Sequence, residues 1–364
     1  MSNLRILIAG GGTGGHIIPA LAVARELVKR HAAEVIFVGT ARGMETRLVP
    51  QAGFDLKLIE VGPLNRVSLA TRLKTLARLP LSLFDCRKLI ADFKPGAVFG
   101  VGGYASGPAM AAALLAGTPT MAFEPNAIPG MANRIVGKRV KAAAVNFSAA
   151  ARWFRNAEVT GIPVRPEFFA LAEPDAAKLK LLIFGGSQGA RCFNQHLPRE
   201  VAELLKQLPE LTVLHQCGAR FLDETQKAYE ATGADPSRWQ VAAFLDDMPA
   251  RFAESHLVLA RSGASTVAEL AAAGKASLLI PFAAAADNHQ LHNAEAMVEA
   301  GAAELLLERD LPTAGTVAAK LAGLLQDRNR LSSLGAAART QAHPDAAARI
   351  AARLVALAQE QAAS

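Results

Sequence analysis

Residues 5–16 read RILIAGGGTGGH, and residues 180–190 read KLLIFGGSQGA. Each segment is a short apolar run, typical of a buried strand, that meets a glycine-rich turn before a helix-like pattern. In an open parallel sheet such turns lie at the carboxyl ends of the strands, where ligands bind. The repeated start therefore predicts two similar α/β units, each with a ligand-binding edge.

Strand and helix patterns alternate along the rest of the chain. Strands are predicted at 5–9, 35–38, 56–59, 97–101, 120–123, 143–145, 181–184, 212–216, 240–244, 257–260, 277–280 and 303–307. This alternation favours right-handed βαβ units around parallel sheets. We therefore predict an α/β fold of two Rossmann-like domains, 1–162 and 163–342, that join within the proline-containing segment 161–166.

Composition limits the classes of function. The 364 residues and 51% hydrophobic content are enough for two globular cores. The three cysteines, Cys86, Cys192 and Cys217, are scattered without metal-site spacing, which indicates a reducing compartment. The N-terminal residues lack a signal-peptide pattern, and glycines and prolines interrupt the uncharged stretch 95–123, which argues against a membrane span.

The net charge of +7 favours acidic partners, namely nucleic acid, an anionic bilayer or a phosphate-rich substrate. With two Trp, two Tyr and no RNA-binding or zinc-finger motif, nucleic acid is the least favoured of these. A basic surface without a specific partner remains an alternative.

The first glycine-rich turn, residues 10–15, predicts a phosphate cradle, because its backbone can approach an anion and a helix starting near Pro19 would direct N–H groups at it. Its spacing also matches the dinucleotide-binding fingerprint, so a nicotinamide or flavin enzyme is an alternative. That fingerprint expects an acidic residue after the second strand, where this chain has Val38-Gly39-Thr40. His16 follows the turn and is a candidate proton acceptor, or a helix cap.

Two further loops in the first half carry polar groups at predicted strand ends. Residues 100–108, GVGGYASGP, offer the hydroxyls of Tyr104 and Ser106, and residues 124–130, EPNAIPG, offer Glu124 and Asn126. A carboxylate and an amide at a sheet edge can bind sugar hydroxyls. The alternative for both loops is a tight turn without a ligand.

The second half repeats this arrangement. Residues 185–190 predict a phosphate-binding turn to which Ser187 and Gln188 add donors, without the Lys-Ser/Thr ending of an ATP-binding loop. Residues 261–270, RSGASTVAEL, lead into a helix in which the carboxylate of Glu269 can accept both hydroxyls of a ribose. An acid that favours the helix dipole is the alternative. The polar run 287–290, DNHQ, follows where a sugar could lie.

Eight motifs, taken in order, resemble those of the MurG family of UDP-N-acetylglucosamine-dependent transferases over nearly the whole chain. They are GGGTGGH, GVGGYASGP, EPNAIPG, GIPVR, GGSQGA, FLDDM, RSGASTVAEL and DNHQ. The resemblance implies a GT-B fold with a deep interdomain cleft. It also implies a donor-binding C-terminal domain, an acceptor-binding, membrane-associating N-terminal domain, and a terminal helix at 343–364 that packs back on the latter.

The resemblance also assigns the site. His16 would be the catalytic base, and the acceptor would contact Thr13, Gly14, Gly15, Tyr104, Glu124 and Asn126. Contacts to UDP-N-acetylglucosamine are implied for Arg165, Ser187, Gln188, Gly189, Phe244, Leu245, Arg261, Ser262, Gly263, Ser265, Thr266, Glu269, His289 and Gln290. The chain departs from the family at Phe123 and Pro125, where a His and a Gln are usual, so no role of that His or that Gln is carried over to this chain.

The activity implied is inverting transfer of N-acetylglucosamine to the C4 hydroxyl of undecaprenyl-pyrophosphoryl-MurNAc-pentapeptide. No metal or other cofactor is expected, since fixed amide dipoles can stabilise the departing diphosphate. A peripheral position on the cytoplasmic face of the inner membrane follows from the lipid acceptor, with cell-wall synthesis proteins as possible partners. A GT-B enzyme with another acceptor and a nucleotide-binding protein without transferase activity remain alternatives.

A basic and apolar stretch in the first half favours contact with anionic lipid. It consists of Arg66, Leu69, Arg72, Leu73, Lys74, Leu76, Arg78, Leu79, Leu81 and Leu83. A helix packed on its own domain is the alternative.

Overall fold

The computed structural model describes residues 4–12, 14–62, 69–175 and 177–363. The predicted site residue Thr13 and the predicted lipid-contact residue Arg66 lie outside these ranges, as do the side chains of Leu69, Arg72, Leu73, Lys74 and Leu76. The chain divides into unit 1, Met1–Pro163 with Asp345–Ser364, and unit 2, Val164–Pro344.

Unit 1 is built on a parallel sheet of seven strands within its described residues, in the order β3-β2-β1-β4-β5-β6-β7. The strands are β1 (Arg5–Gly10), β2 (Glu34–Gly39), β3 (Asp55–Leu58), β4 (Ala97–Gly102), β5 (Thr120–Glu124), β6 (Ala142–Val145) and β7 (Ala157–Val159). The helices are α1 (Gly14–His31), α2 (Glu45–Gln51), α3 (Leu69–Phe93), α4 (Ser106–Leu115), α5 (Met131–Val136), α6 (Ser148–Ala151) and the terminal α14 (Ala346–Ala363).

Unit 2 has a parallel sheet of six strands within its described residues, in the order β10-β9-β8-β11-β12-β13. The strands are β8 (Leu179–Phe184), β9 (Leu211–Gln216), β10 (Trp239–Ala242), β11 (Leu257–Ala260), β12 (Ser277–Leu279) and β13 (Glu304–Leu305). The helices are α7 (Arg191–Gln207), α8 (Leu222–Glu230), α9 (Met248–Glu254), α10 (Ala264–Ala273), α11 (His289–Glu299), α12 (Thr316–Gln326) and α13 (Arg328–Thr340), with short 3₁₀ turns at Pro166–Ala170, Ala219–Phe221, Ala286–Asn288 and Glu308–Asp310.

The strand order reverses once in each sheet, between β1 and β4 in unit 1 and between β8 and β11 in unit 2. Helices leave the central strands in opposite directions at such a reversal, which opens a crevice at the carboxyl ends of the strands. The two glycine-rich turns of the sequence, after β1 and after β8, lie at these two positions. The predicted α/β fold with two Rossmann-like parallel sheets is confirmed.

Burial explains why the central strands could be predicted. Every residue of β4, β5 and β11 is buried, as expected for parallel strands covered by helices on both faces. The short strand β7, Ala157–Val159, was not predicted, because it has three residues at the sheet edge and is not fully buried. The strand predicted at 240–244 begins at Trp239 and ends at Ala242.

The first helix also differs from expectation. It begins at Gly14, whereas the sequence predicted a start near Pro19, so Pro19 lies inside α1. The terminal helix packs against α1, and a Cβ on Gly96 would meet the side chain of Ala358 at 2.8 Å. The missing side chain at Gly96 therefore allows α14 to lie close to the start of β4.

Candidate active site

The turn after β1 is packed against the turn after β4 within unit 1. The Gly11 N–H donates to the carbonyl of Gly102 at 3.2 Å. Gly103 has φ +81°, and a Cβ there would overlap the backbone of Gly11. Two backbones in such contact leave no space for side chains, so these glycines are required for packing.

A buried carboxylate, which sequence reasoning missed, organises the turn of residues 10–15. Glu45, 1% exposed, accepts from the Gly12 N–H at 2.6 Å and from the Thr40 N–H and hydroxyl at 2.9 and 3.0 Å. The Gly11 and Gly12 amides are thus both used inside the protein. The predicted phosphate cradle is corrected accordingly: the groups that remain for an anion are the N–H groups at the start of α1.

His16 lies in the first turn of α1, half-buried beside the end of β4. A Cβ on Gly102 would approach a carbon of its imidazole ring to 2.8 Å. Tyr104, in the loop before α4, is 49% exposed. The structure thus places both residues at the carboxyl edge of the unit 1 sheet, where the sequence predicted an acceptor site.

Glu124, the last residue of β5, is 2% exposed and accepts four hydrogen bonds from its own loop. They come from the Asn126 N–H and amide group at 2.9 and 3.2 Å, the Gly130 N–H at 3.0 Å and the Asn133 amide group at 3.0 Å. Burial raises the pKa of Glu124, and the hydrogen bonds oppose that rise. These contacts favour a role for Glu124 in shaping the loop. Asn126 is less buried than Glu124.

The turn after β8 in unit 2 remains open. Ser187 and Gln188 are exposed, and the Gly189 N–H donates to the Gly186 carbonyl at 2.9 Å, which closes a tight turn before α7. Helix α7 has 17 residues and no acidic residue in its first turn. The N-terminal amides of such a helix favour an anion.

Arg261, at the end of β11, is 6% exposed and uses its guanidinium inside unit 2. One nitrogen donates to the carbonyls of Ile280 and Pro281 at 3.0 and 2.8 Å and to Glu308 Oε2 at 2.9 Å, and the other donates to Cys192 Sγ at 2.8 Å. The guanidinium also lies over the ring of Phe193 at 4.6 Å. These contacts give Arg261 a structural role in unit 2, and its contact to the nucleotide stays a prediction.

Ser262 and Gln290 are likewise engaged with each other and with the backbone. The buried Ser262 hydroxyl donates to the Gln290 carbonyl at 2.7 Å, and Gln290 Oε1 accepts from the Phe282 N–H at 2.9 Å. Nδ1 of His289 lies 2.7 Å from the Ala286 carbonyl. Because a carbonyl only accepts, Nδ1 donates in this hydrogen bond, and Nε2 is the ring nitrogen that Ala286 does not use.

Glu269 is half-buried in the second turn of α10, which packs against the 3₁₀ turn that Arg165 precedes. Burial raises the pKa of Glu269 to about 7, against the charge of Arg165, which lowers it. Gly263 caps α10, and Ser265 and Thr266 lie half-buried in its first turn. An acid whose pKa lies near neutrality beside a strand end is typical of a functional site.

Phe244 and Leu245 follow β10 as a loop, and Phe244 is 54% exposed. Because β10 ends at Ala242, the backbone groups of these two residues lie beyond the strand. Leu245 is half-buried, and the predicted contact of this backbone with a base stays a prediction.

Metal sites and membrane spans were both considered in the sequence, and the described residues contain neither. No group of three or more His, Cys, Asp or Glu is arranged to hold a metal ion. No described helix combines the length and apolar character that crossing a bilayer requires.

Two family models match the chain, one on each sheet. The glycosyltransferase family 28 N-terminal domain matches residues 6–145, and the glycosyltransferase family 28 C-terminal domain matches residues 180–350. The chain belongs to glycosyltransferase family 28.

Individual relatives within family 28 cover almost the full length. The UDP-N-acetylglucosamine--N-acetylmuramyl-(pentapeptide) pyrophosphoryl-undecaprenol N-acetylglucosamine transferase of Solibacter usitatus (strain Ellin6076) is 45% identical over 95% of this chain and 94% of its own. The enzyme of that name from Anaeromyxobacter sp. (strain K) is 42% identical over 96% and 91%. The crystal structure of MurG from Acinetobacter baumannii matches with a TM-score of 0.80 at 30% identity, covering 96% and 99%.

For this member of family 28, sequence reasoning found the turns but missed most groups that hold them. Glu45, Asn133, Cys192 and Glu308 lie outside the quoted motifs, and only their contacts reveal them. An acid in the first turn of α2 has no sequence feature that separates it from an ordinary helix-dipole acid.

Replacing Glu45 by Gln tests the internal support of the unit 1 turn. The variant loses a charged acceptor for three donors, so we expect it to lower the free energy of unfolding by about 1–3 kcal/mol and to speed hydrogen exchange of the Gly12 and Thr40 amides. Denaturant unfolding and amide exchange measure both effects.

Glu34→Gln is the control, because Glu34 forms an exposed pair with Arg5 at 3.0 Å, a kind of contact that contributes about 0–1 kcal/mol. Equal stability of the two variants, with unchanged exchange at Gly12, would contradict the assignment.

Proposed function

We propose that this chain transfers N-acetylglucosamine from UDP-N-acetylglucosamine to the C4 hydroxyl of the lipid-linked MurNAc-pentapeptide. The hydroxyl oxygen forms a bond to the anomeric carbon as the bond to the diphosphate oxygen breaks, so the configuration inverts and UDP leaves. The names of the relatives from Solibacter usitatus and Anaeromyxobacter describe this transfer, and each relative covers at least 95% of the chain.

The observation that carries the proposal is the open turn at residues 185–189. Its exposed Ser187 and Gln188 stand at the strand-order reversal of unit 2, directly before the uncapped α7. A departing diphosphate accumulates negative charge, and backbone amides and helix N-termini that are already oriented stabilise it without rearrangement. These features support a diphosphate site built from the protein's own dipoles.

The ribose, the uracil and the sugar of the donor are assigned to residues at the same edge of the unit 2 sheet. The carboxylate of Glu269 accepts the ribose hydroxyls, and the exposed Arg165 contributes positive charge nearby. Backbone groups at Phe244 and Leu245 bind the uracil edge. His289 and Gln290 contact the sugar, and Nε2 of His289, which Ala286 does not use, suits a sugar hydroxyl.

Unit 1 receives the acceptor in this proposal. His16, Tyr104 and Asn126 lie at or after the carboxyl ends of β1, β4 and β5, and the amides of Gly14 and Gly15 begin α1. His16 takes the proton of the attacking hydroxyl, since a neutral imidazole is a suitable base near neutral pH.

A lipid-linked acceptor requires contact with a bilayer, and unit 1 offers a basic and apolar face for it. Helix α4 packs against both α3 and α5. These three helices expose Leu81, Phe84, Leu115, Met131 and Ile135 together with Arg87 and Lys88, and Lys138 and Arg139 are exposed in the turn that follows α5. Apolar side chains among cations favour peripheral binding to anionic lipid, on the cytoplasmic face where UDP-sugars are found. Other cell-wall synthesis proteins are proposed partners at that membrane.

The reaction is tested by incubating the protein with UDP-N-acetylglucosamine and a soluble analogue of the lipid-linked acceptor. We expect release of UDP and formation of a disaccharide product only when both substrates are present, measured by a coupled UDP assay and mass spectrometry. UDP release that does not depend on the acceptor would indicate hydrolysis and contradict the proposal.

The role of Glu269 predicts a pH dependence. With a pKa of about 7, its carboxyl is protonated below that pH and becomes the better hydroxyl acceptor above it. We therefore expect the affinity for UDP-N-acetylglucosamine to rise between about pH 6 and about pH 8, and Glu269→Gln to weaken binding about tenfold at the upper pH and flatten the profile. Titration calorimetry measures this, and an unchanged profile in the variant would refute the role.

A further inference from the structure

The loop of residues 281–290 is held by one carboxylate from outside it. Glu308 Oε2 accepts from the Ala283 N–H at 2.9 Å and from Arg261 at 2.9 Å. Glu308 lies in the 3₁₀ turn after β13, far along the chain from both partners. The same oxygen atom therefore connects the start of the loop to the end of β11.

The two ends of this loop depend on each other. The Phe282 N–H donates to Gln290 Oε1, and the Gln290 carbonyl accepts from Ser262. Between them, Asp287 and Asn288 adopt φ values of +50° and +52°, in the left-handed region, where Asp and Asn are among the most frequent non-glycine residues. A shift at Ala283 would thus reach Gln290 and the adjoining His289.

Charge makes this arrangement sensitive to Glu308. The Arg261 side chain is 7% exposed, and the Glu308 side chain is 22% exposed. Within the described residues, Glu308 is the carboxylate that hydrogen-bonds to this guanidinium. Burial raises the pKa of Glu308, but the hydrogen bonds from the Ala283 amide and Arg261 lower it by more. The pKa therefore lies below its usual value, and the carboxylate stays charged. Removal of one partner of such a pair leaves a buried charge without compensation.

The Arg261 guanidinium also packs against an aromatic ring of α7 and against one of the 281–290 loop. It lies 4.6 Å from the ring of Phe193, in the first turn of α7, and 5.3 Å from the ring of Phe282, in the loop. Its second nitrogen donates to the sulfur of Cys192, also in the first turn of α7. Arg261 thereby connects the 281–290 loop to the helix that follows the turn of residues 185–189.

We propose that Glu308 is a positioning residue that holds the 281–290 loop, and with it the sugar end of the donor site, in its binding conformation through Arg261 and Ala283. This inference rests on the proposed function, because that function assigns His289 and Gln290 to the sugar. It adds a residue that selects for the sugar without touching it.

The UDP part and the sugar part of the donor depend on different elements of the site. UDP lacks the sugar, so its binding depends on the turn of residues 185–189, Glu269 and the loop after β10. UDP-N-acetylglucosamine also depends on the 281–290 loop. A loosened loop therefore weakens binding of the full donor more than binding of UDP.

The test compares Glu308→Gln with the matched control Glu304→Gln. Glu304, on β13, also accepts from two cations, Lys320 at 3.0 Å and Arg330 at 2.6 Å, but is not hydrogen-bonded to the loop. For Glu308→Gln we expect the KM and Kd for UDP-N-acetylglucosamine to rise about tenfold while the Kd for UDP changes less than about twofold. The control should keep all three within about twofold of wild type.

Amide exchange supplies a second readout. Exchange at Ala283 and Phe282 should be faster in Glu308→Gln than in the control, with the thermal transition of both variants retained. If Glu308→Gln does not fold, Glu308→Asp keeps the charge beside Arg261 but is one methylene too short to hold Ala283 as well, and should give the same separation of UDP from the full donor.

Equal weakening of UDP and UDP-N-acetylglucosamine in Glu308→Gln, or the same change in the control, would overturn the proposal. So would loss of the folded state in both Glu308 variants, which would make the residue a determinant of stability. The binding measurements do not need turnover. A wild-type protein that binds the donor without transferring it would contradict the proposed function, and the role of Glu308 could still be tested by binding.

Discussion

The backbone of Gly189 lies against the carbonyl of Cys217, and the ligand-binding edge proposed for unit 2 depends on this contact. Gly189 has φ +72°, and a Cβ at this position would overlap the Cys217 carbonyl. The side chain of Asn194, in α7, donates to the same carbonyl at 3.0 Å and is buried. Together these contacts set α7 close to the end of β9 and leave Ser187 and Gln188 exposed in the turn proposed to bind the diphosphate.

Unit 1 uses a similar glycine-rich sequence differently. There the turn after β1 packs on the backbone after β4, and Glu45 takes the Gly12 amide that an anion would otherwise bind. The groups that remain for an anion in unit 1 are therefore the N–H groups at the start of α1, whereas in unit 2 Ser187 and Gln188 of the turn itself are exposed. This difference agrees with the proposal that the diphosphate of the donor binds in unit 2.

The sequence predicted what depends on local pattern. Apolar runs such as those of β4 and β11 indicated buried parallel strands, and glycines after β1 and β8 marked the turns at the strand-order reversals. It did not predict partners that meet only in the fold. The family resemblance implied that Arg261 lies near the nucleotide, but its partner Glu308, 47 residues later, could not be predicted from the sequence. Likewise, the hydrogen bonds that Glu124 accepts from Asn133 and Gly130 could not be predicted, and its contact to a sugar stays a prediction.

The contact at Gly189 is tested most directly by the affinity of Gly189→Ala for UDP, compared with that of Gly233→Ala. Gly233 also has a positive φ, +70°, but a Cβ there meets no atom within 4 Å, so this control carries the backbone strain without the overlap. We predict that titration calorimetry will show affinity for UDP at least about tenfold weaker in Gly189→Ala and within about twofold of wild type in Gly233→Ala. A Gly189→Ala protein that binds UDP as tightly as wild type would contradict the account.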